Sequence, residues 1–210
     1  MKLKIDVHLH YAVQAPTDII LQIEVPDCAD QRVIDEQLDL SESLHSASAP
    51  AEMKFGSRRL LYVEKDFECH YTTQVAIDRP LVDIAPLHAL PPHRLPDDAL
   101  RYLMPSRYCQ SDELQSFVEA EFEGSTGGER IACIRDWVFG RFQYSAASSN
   151  QHTTAVDSLV HGQGVCRDFA HVLIALARAS SIPARFVSGY APSVVPPDFH
   201  AVAEVYLDNA

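Results

Sequence analysis

The chain has 210 residues, enough for one large domain or two small ones, and 47% of them are apolar, which is enough for a packed core. Its formal net charge is −12, and no basic cluster reverses that locally, so nucleic acid and anionic membrane are poor partners; both demand a basic face. No run approaches the roughly 18 apolar residues of a membrane span, and Met1-Lys2-Leu3-Lys4-Ile5-Asp6 has no apolar leader segment.

The first part reads as strands. Leu3, Ile5, Val7, Leu9 and Tyr11 alternate with Lys2, Lys4, Asp6, His8 and His10, the pattern of a half-buried strand. Leu21, Ile23 and Val25 repeat it before Pro26. Phe67, Cys69, Tyr71, Thr73, Val75 and Ile77 form one face of a third, longer run, with Glu68, His70, Thr72 and Gln74 on the other. This density predicts an antiparallel sheet or sandwich over roughly residues 1–80, and we place a sandwich-like domain at 1–85. Asp6, His8 and His10 put three potential metal ligands on one strand face. Metal-binding barrels use such a His-x-His pair, but a barrel needs about 250 residues with helices between strands, and a polar outer sheet face is the plainer reading.

Prolines at 80, 86, 91, 92, 96 and 105 then interrupt any regular element, and 86–106 reads as a packed linker. Helices follow in 107–210. Ser111 looks like an N-cap for a helix with Leu114, Phe117, Val118 and Phe122 on one face. Gly127-Gly128 breaks the chain, and a second helix runs from about 129 to 140 with Ile131, Ile134 and Val138 as its stripe. Residues 143–163 are rich in Ser, Thr, Asn and Ala and read mostly as loop, with a short helix near 155–159. Phe169, Val172, Leu173 and Leu176 mark a helix starting near Cys166 and ended by Pro183. Arg185 to Tyr190 reads as a strand. After the proline-rich loop 192–197, His200 heads another strand in which Ala201, Ala203, Val205 and Leu207 alternate with Val202, Glu204 and Tyr206.

Five cysteines, Cys28, Cys69, Cys109, Cys133 and Cys166, are odd in number and contain no C-x-x-C pair, which fits reduced thiols in a cytoplasm. Cys166 alone stands at a helix start, where the helix dipole favours thiolate and the free backbone N–H can donate to an oxyanion. Gly162 and Gly164 permit a tight turn before it. A base must come from another element. Of the ten histidines, His171 lies five positions along the same helix and points away from the thiol side, His161 sits in the preceding loop, and His200 heads a strand open to solvent at one end, which suits a base; spacing alone does not choose among them. On pattern alone, an inert buried cysteine accounts for Cys166 equally well.

Three blocks decide between these readings. They are Gly164-Val165-Cys166-Arg167-Asp168-Phe169-Ala170-His171, then Ile182-Pro183-Ala184-Arg185-Phe186-Val187-Ser188-Gly189-Tyr190, then Asp198-Phe199-His200-Ala201-Val202-Ala203-Glu204-Val205-Tyr206-Leu207. In this order and separation they resemble the bacterial transglutaminase-like superfamily, which includes candidate cysteine proteases; Met104-Pro105-Ser106-Arg107-Tyr108 and Trp137 are similar to further family features. The resemblance implies an α+β fold: an N-terminal antiparallel β domain followed by a papain-like core whose helix bears Cys166 and whose sheet bears His200. It also implies a thioester mechanism on protein or peptide amides, with hydrolysis or amine transfer as the outcome; the sequence itself gives no sign of a metal or nucleotide cofactor. Val202 departs from the family pattern, where an aromatic residue is common. The family's third catalytic residue, an acid on the next strand, falls beyond residue 210; Asp208 lies about 26 Å from His200 along a straight strand and is a poor substitute. We therefore expect a truncated core, whose alternative role is that of an inactive binding or scaffolding module.

Overall fold

The computed structural model describes residues 1–52, 55–192, 194–195 and 197–208. The chain forms two compact units, Met1–Leu81 and Val82–Ala210.

The first unit is all-β. Strands β1 (Lys2–Tyr11), β2 (Thr17–Leu21), β3 (Gln31–Leu40), β4 (His45–Pro50), β5 (Ser57–Val63) and β6 (Phe67–Ile77) make two three-stranded antiparallel sheets ordered β1-β6-β3 and β2-β5-β4. The strict alternation of β1 and β6 fixes their pairing from Lys2↔Ala76 to Tyr11↔Phe67 without a slip. Leu21, Leu61, Val63, Phe67 and Cys69 from the two sheets share one core. Tyr71 is wholly buried on the central strand; its hydroxyl accepts from the Val25 amide at 2.8 Å and donates to Glu36 at 2.7 Å, so the phenol is satisfied where water cannot reach. Strand β2 stops at Leu21, so Ile23 and Val25 lie beyond it. Strand β3 was invisible to alternation because a bulge between Val33 and Asp35 shifts its register and turns Ile34 outward.

The second unit is built around one helix. Its elements are α1 (Asp97–Leu100), α2 (Gln115–Glu121), α3 (Gly127–Arg141), β7 (Gln143–Tyr144), α4 (Ala155–His161), β8 (Gln163–Gly164), α5 (Cys166–Ala179), β9 (Ala184–Tyr190) and β10 (Phe199–Val205). Helix α5 packs against α2, α3, α4 and the antiparallel hairpin β9–β10. Val172, Ile174, Ala175, Leu176 and Ala177 are all buried, and so are Asp168 and His171, so α5 is buried around most of its circumference rather than along one apolar stripe.

Gly127 and Gly128 open α3 rather than break the chain. Segment 84–88 lies against them: Gly128 N–H donates to the Leu87 carbonyl at 2.8 Å, and a Cβ on Gly128 would stand 1.6 Å from the Ile84 oxygen. Gly127 adopts φ +54°, which only glycine tolerates readily. The proline-rich stretch is thereby held on the helix start.

Gly128→Ala is expected to cost about 3 kcal/mol or more, because the clash is with backbone that cannot turn aside. Gly140→Ala, at a site with no heavy atom near the added methyl, should instead stabilise by about 0.5–1 kcal/mol. Urea unfolding of both variants checks the contrast.

Candidate active site

Cys166 is the first residue of α5, and the local sequence explains why the helix begins there. Gly162 ends α4 in the left-handed region (φ +63°), reversing the chain into the two-residue strand β8, which pairs with β7. Gly164 serves differently. It leaves room for the Asp168 side chain, whose Cβ would lie 2.6 Å from a Cβ at 164. Asp168 folds back over that gap and accepts from the Val165 amide at 2.8 Å. Valine has no acceptor to return the bond, so this is half of a capping box. Asp168 is fully buried, and its other oxygen takes the Arg167 guanidinium at 3.2 Å.

Arg167 extends this anchor outward. The same terminal nitrogen reaches Ser149 Oγ at 2.7 Å and the Asn150 carbonyl at 2.5 Å. The polar segment read as loop is thus tied to the helix start. It is also tied to itself and to its surroundings: Ser145 N–H donates to Gly164, Thr153 and Asn150 exchange bonds, and Tyr108 Oη donates to the Gln151 carbonyl at 2.9 Å. Sequence reasoning missed Asp168, Arg167 and this segment as determinants of the site. The motif was visible, but the burial that gives Asp168 its role was not.

At the helix start, the amides of Asp168 and Phe169 both donate to the Val165 carbonyl. The Cys166 amide has no acceptor among the described residues, so it is free to donate to a ligand. The Cys166 side chain is half-buried.

His171, five residues along the helix from Cys166, is buried. Its ring stacks on Tyr108 (5.2 Å between centroids, 8° between planes) and meets Phe186 at 5.2 Å. Its Nδ1 has no hydrogen-bond partner. Burial, reinforced by the positive charge of Arg167 and Arg178 and partly opposed by Asp168, pushes the imidazole down to about 4. It is therefore neutral at physiological pH and serves as packing. His161 ends α4 and is exposed.

His200 is the second residue of β10, half-buried, and pairs with Gly189 of β9. Strand β9 runs back along α5: Ala184 accepts from Arg178 near the helix end, and Phe186 touches His171 midway. From that contact Gly189 is three residues further on, about 10 Å of strand, and Cys166 is five residues back, about 7.5 Å of helix. The register therefore carries His200 to the level of Cys166 along the helix axis. The faces differ, however. Ala203 and Val205 pack into the core against α5, and His200 alternates with them, on the side of Val202 and Glu204. Among the described residues no hydrogen bond joins Cys166 Sγ to His200, and no carboxylate is hydrogen-bonded to His200. Asp208 lies past the opposite end of β10, where it exchanges backbone bonds with His88. Ser193 and Pro196 of the loop leading to His200 fall outside the described residues. No described helix is long and apolar enough to cross a membrane.

Comparison with known proteins adds to this geometry. The model of the transglutaminase-like superfamily matches residues 116–210. A solved structure of a proposed cysteine protease from Cytophaga hutchinsonii superposes with a TM-score of 0.91 at 34% identity, covering 99% of this chain and 73% of that one. A 60-residue stretch is 37% identical to an uncharacterised protein of Mycobacterium leprae, covering 29% of this chain and 21% of that protein. The same identity relates it to an uncharacterised Mycobacterium tuberculosis protein, of which 19% is covered. The match thus spans about a fifth of the length of these mycobacterial relatives.

Two measurements test the anchoring. Asp168→Ala leaves the Val165 amide and Arg167 without their buried acceptor and is expected to cost about 2–4 kcal/mol in urea unfolding; Asn, which keeps an acceptor oxygen, should fall between the two. His171 adds a pH signature. Its folded value lies below the ordinary 6.5, so the unfolded chain binds the proton more readily. Its contribution is full above about pH 6.5 and declines as pH falls toward 4, on the order of 2 kcal/mol after allowance for screening. Thermal denaturation of His171→Phe should show that part of the pH profile flattened.

Proposed function

Since the chain belongs to the transglutaminase-like superfamily, we propose that it performs thiol-dependent acyl transfer on protein or peptide amides, with Cys166 as nucleophile and His200 as its base. The observation that carries this reading is the position of Cys166: a half-buried sulfur at the first residue of the central helix, beside a backbone amide with no acceptor among the described residues. A backbone amide left free at a helix N-terminus can donate to the oxyanion that forms when the neighbouring sulfur adds to a carbonyl.

The step follows from these groups. The Cys166 thiolate adds to the amide carbonyl, and the carbonyl π pair moves to oxygen, where the Cys166 amide meets it. Collapse breaks the C–N bond, and the imidazolium of His200, having taken the thiol proton, delivers it to the departing amine. The thioester then passes its acyl group to water or to a second amine. The family's name covers transfer to an amine, and the name of the Cytophaga relative points to hydrolysis; both share this first half-reaction. Five unpaired cysteines favour a reducing compartment, in keeping with a cytoplasmic enzyme.

A second reading, a non-catalytic module that binds peptides without cleaving them, is favoured by one observation: the dyad is open, with His200 on the strand face opposite Ala201 and Ala203. The two readings differ in thiol reactivity. Burial pushes the thiols of Cys28, Cys69 and Cys109 up and leaves them poorly reactive, so exposed Cys133 is the proper comparator. In mass-spectrometric mapping of iodoacetamide labelling at pH 6–7, Cys166 is expected to react at least about tenfold faster than Cys133. His200→Ala should remove most of that advantage, and Cys166→Ala should abolish peptide turnover. Equal labelling of Cys166 and Cys133 would leave only the binding module.

A further inference from the structure

The first unit carries a cluster that the thiol chemistry does not use. His8 of β1 and His70 of β6 are register partners, directly opposite across the antiparallel pair. Asp6, two residues before His8, projects from the same face. The two imidazoles stack with centroids 3.8 Å apart and planes 19° apart. Both turn Nε2 toward a single oxygen: Asp6 Oδ1 is 3.0 Å from His70 Nε2 and 3.5 Å from His8 Nε2. All three candidate ligand atoms lie within 4.8 Å of one another.

We propose that Asp6, His8 and His70 form a binding site for a late first-row divalent cation of the zinc type. Nitrogen and oxygen ligands sit 2.0–2.2 Å from zinc, and a tetrahedron of that size has edges of about 3.3 Å. The two recorded separations, 3.0 and 3.5 Å, straddle that edge. An ordinary histidine–carboxylate bond needs one imidazole; here two converge on one carboxylate oxygen. The ligand set, two imidazoles and a carboxylate, suits zinc and its neighbours rather than calcium or magnesium, which prefer all-oxygen shells.

The platform is rigid where it needs to be. His70 stands on the central strand of its sheet, paired on one side to β1 and on the other to β3, so two ladders fix its backbone. Asp39 of β3 is its register partner on the other side. The side chains are open to solvent, 73% for His8, 53% for Asp6 and 40% for His70, so an ion has a path in and a coordination position remains for water or an external ligand. His10, the third histidine-strand candidate in the sequence, is not among these ligands: its cross-strand partner is Glu68, two residues along. Bound metal would clamp the edge strand β1 to β6 and stabilise the folded state by mass action.

The test uses the full chain. Co2+ titration followed by absorbance is expected to saturate at one equivalent with ligand-field bands and no thiolate charge-transfer band, which separates this site from the cysteines. Zn2+ should compete, raise the thermal midpoint, and shift the ring resonances of His8 and His70 in NMR spectra of the unaltered protein. His8→Ala and His70→Ala should each weaken binding at least tenfold, since even outer-shell losses cost 10–100-fold. Absence of saturable binding, shifts confined to other histidines, or full affinity in both variants would overturn the proposal. If either variant fails to fold, the ring shifts in the unaltered protein decide alone.

Discussion

The second unit depends on one buried carboxylate. Asp168 sits at zero exposure over Gly164, holding the Val165 amide with one oxygen and Arg167 with the other. A buried charge of this kind is costly unless each lone pair finds a donor. The donors it finds are the ones that define where α5 begins and where the preceding polar segment lies. Arg167 spans from the carboxylate to Ser149 and Asn150, so the helix start, the short β7–β8 pair and the loop form a single hydrogen-bonded body. Cys166 lies between Val165 and Arg167, the two residues that the Asp168 carboxylate holds. Its position is set by neighbours that cannot move without unsatisfying a buried charge. A nucleophile needs that kind of fixed placement, and a merely packed cysteine does not.

The same helix is the core of the unit. Helix α5 is covered on several sides, by α2, α3, α4 and the hairpin. Amphipathic-stripe reasoning assumes that a helix has a solvent face. It therefore found Phe169, Val172, Leu173 and Leu176 and stopped there. Ala170, Ala175 and Ala177 complete the burial, and alanine carries too weak a periodic signal to reveal it. The small side chains allow close approach of the hairpin, where Ala184, Ala201 and Ala203 are also small.

What the sequence showed clearly was what depends on short-range alternation or on contiguous motif. Strands β1, β6 and β10 emerged with their faces correctly assigned, and β9 and the start of α5 emerged in place. The α+β class and the superfamily followed from the three blocks, and the solved relative agrees with both. What stayed hidden depends on long-range contact. Gly127-Gly128 looks like a breaker because glycine ends helices in isolation; only the approach of Ile84 and Leu87 makes it a helix start. Residues 143–163 look unstructured because their order comes from Arg167 and Tyr108, not from periodicity. The metal cluster has the same character. The sequence offers Asp6, His8 and His10 on one strand, but register brings His70, sixty-two residues away from His8, into the set.

Register also limits what His200 can do. In a strand, alternate residues face opposite sides, and moving one of them by a slip moves them all. Ala201, Ala203 and Val205 are packed on the core side of the hairpin, and a slip of β10 would expose that packing and bury Val202 and Glu204 in its place. Such a slip also breaks the Glu204–Arg185 ion pair. The strand as a whole is therefore locked. Its first two residues, Phe199 and His200, close the ladder by pairing to Tyr190 and Gly189, and the Phe199 ring packs against Tyr190. Gly189 carries no side chain to hold the imidazole in place, and among the described residues no heavy atom lies within 4 Å of where its Cβ would be. Any closure of the imidazole onto the Cys166 sulfur must then come from local rotation at the head of β10, leaving the rest of the hairpin on α5.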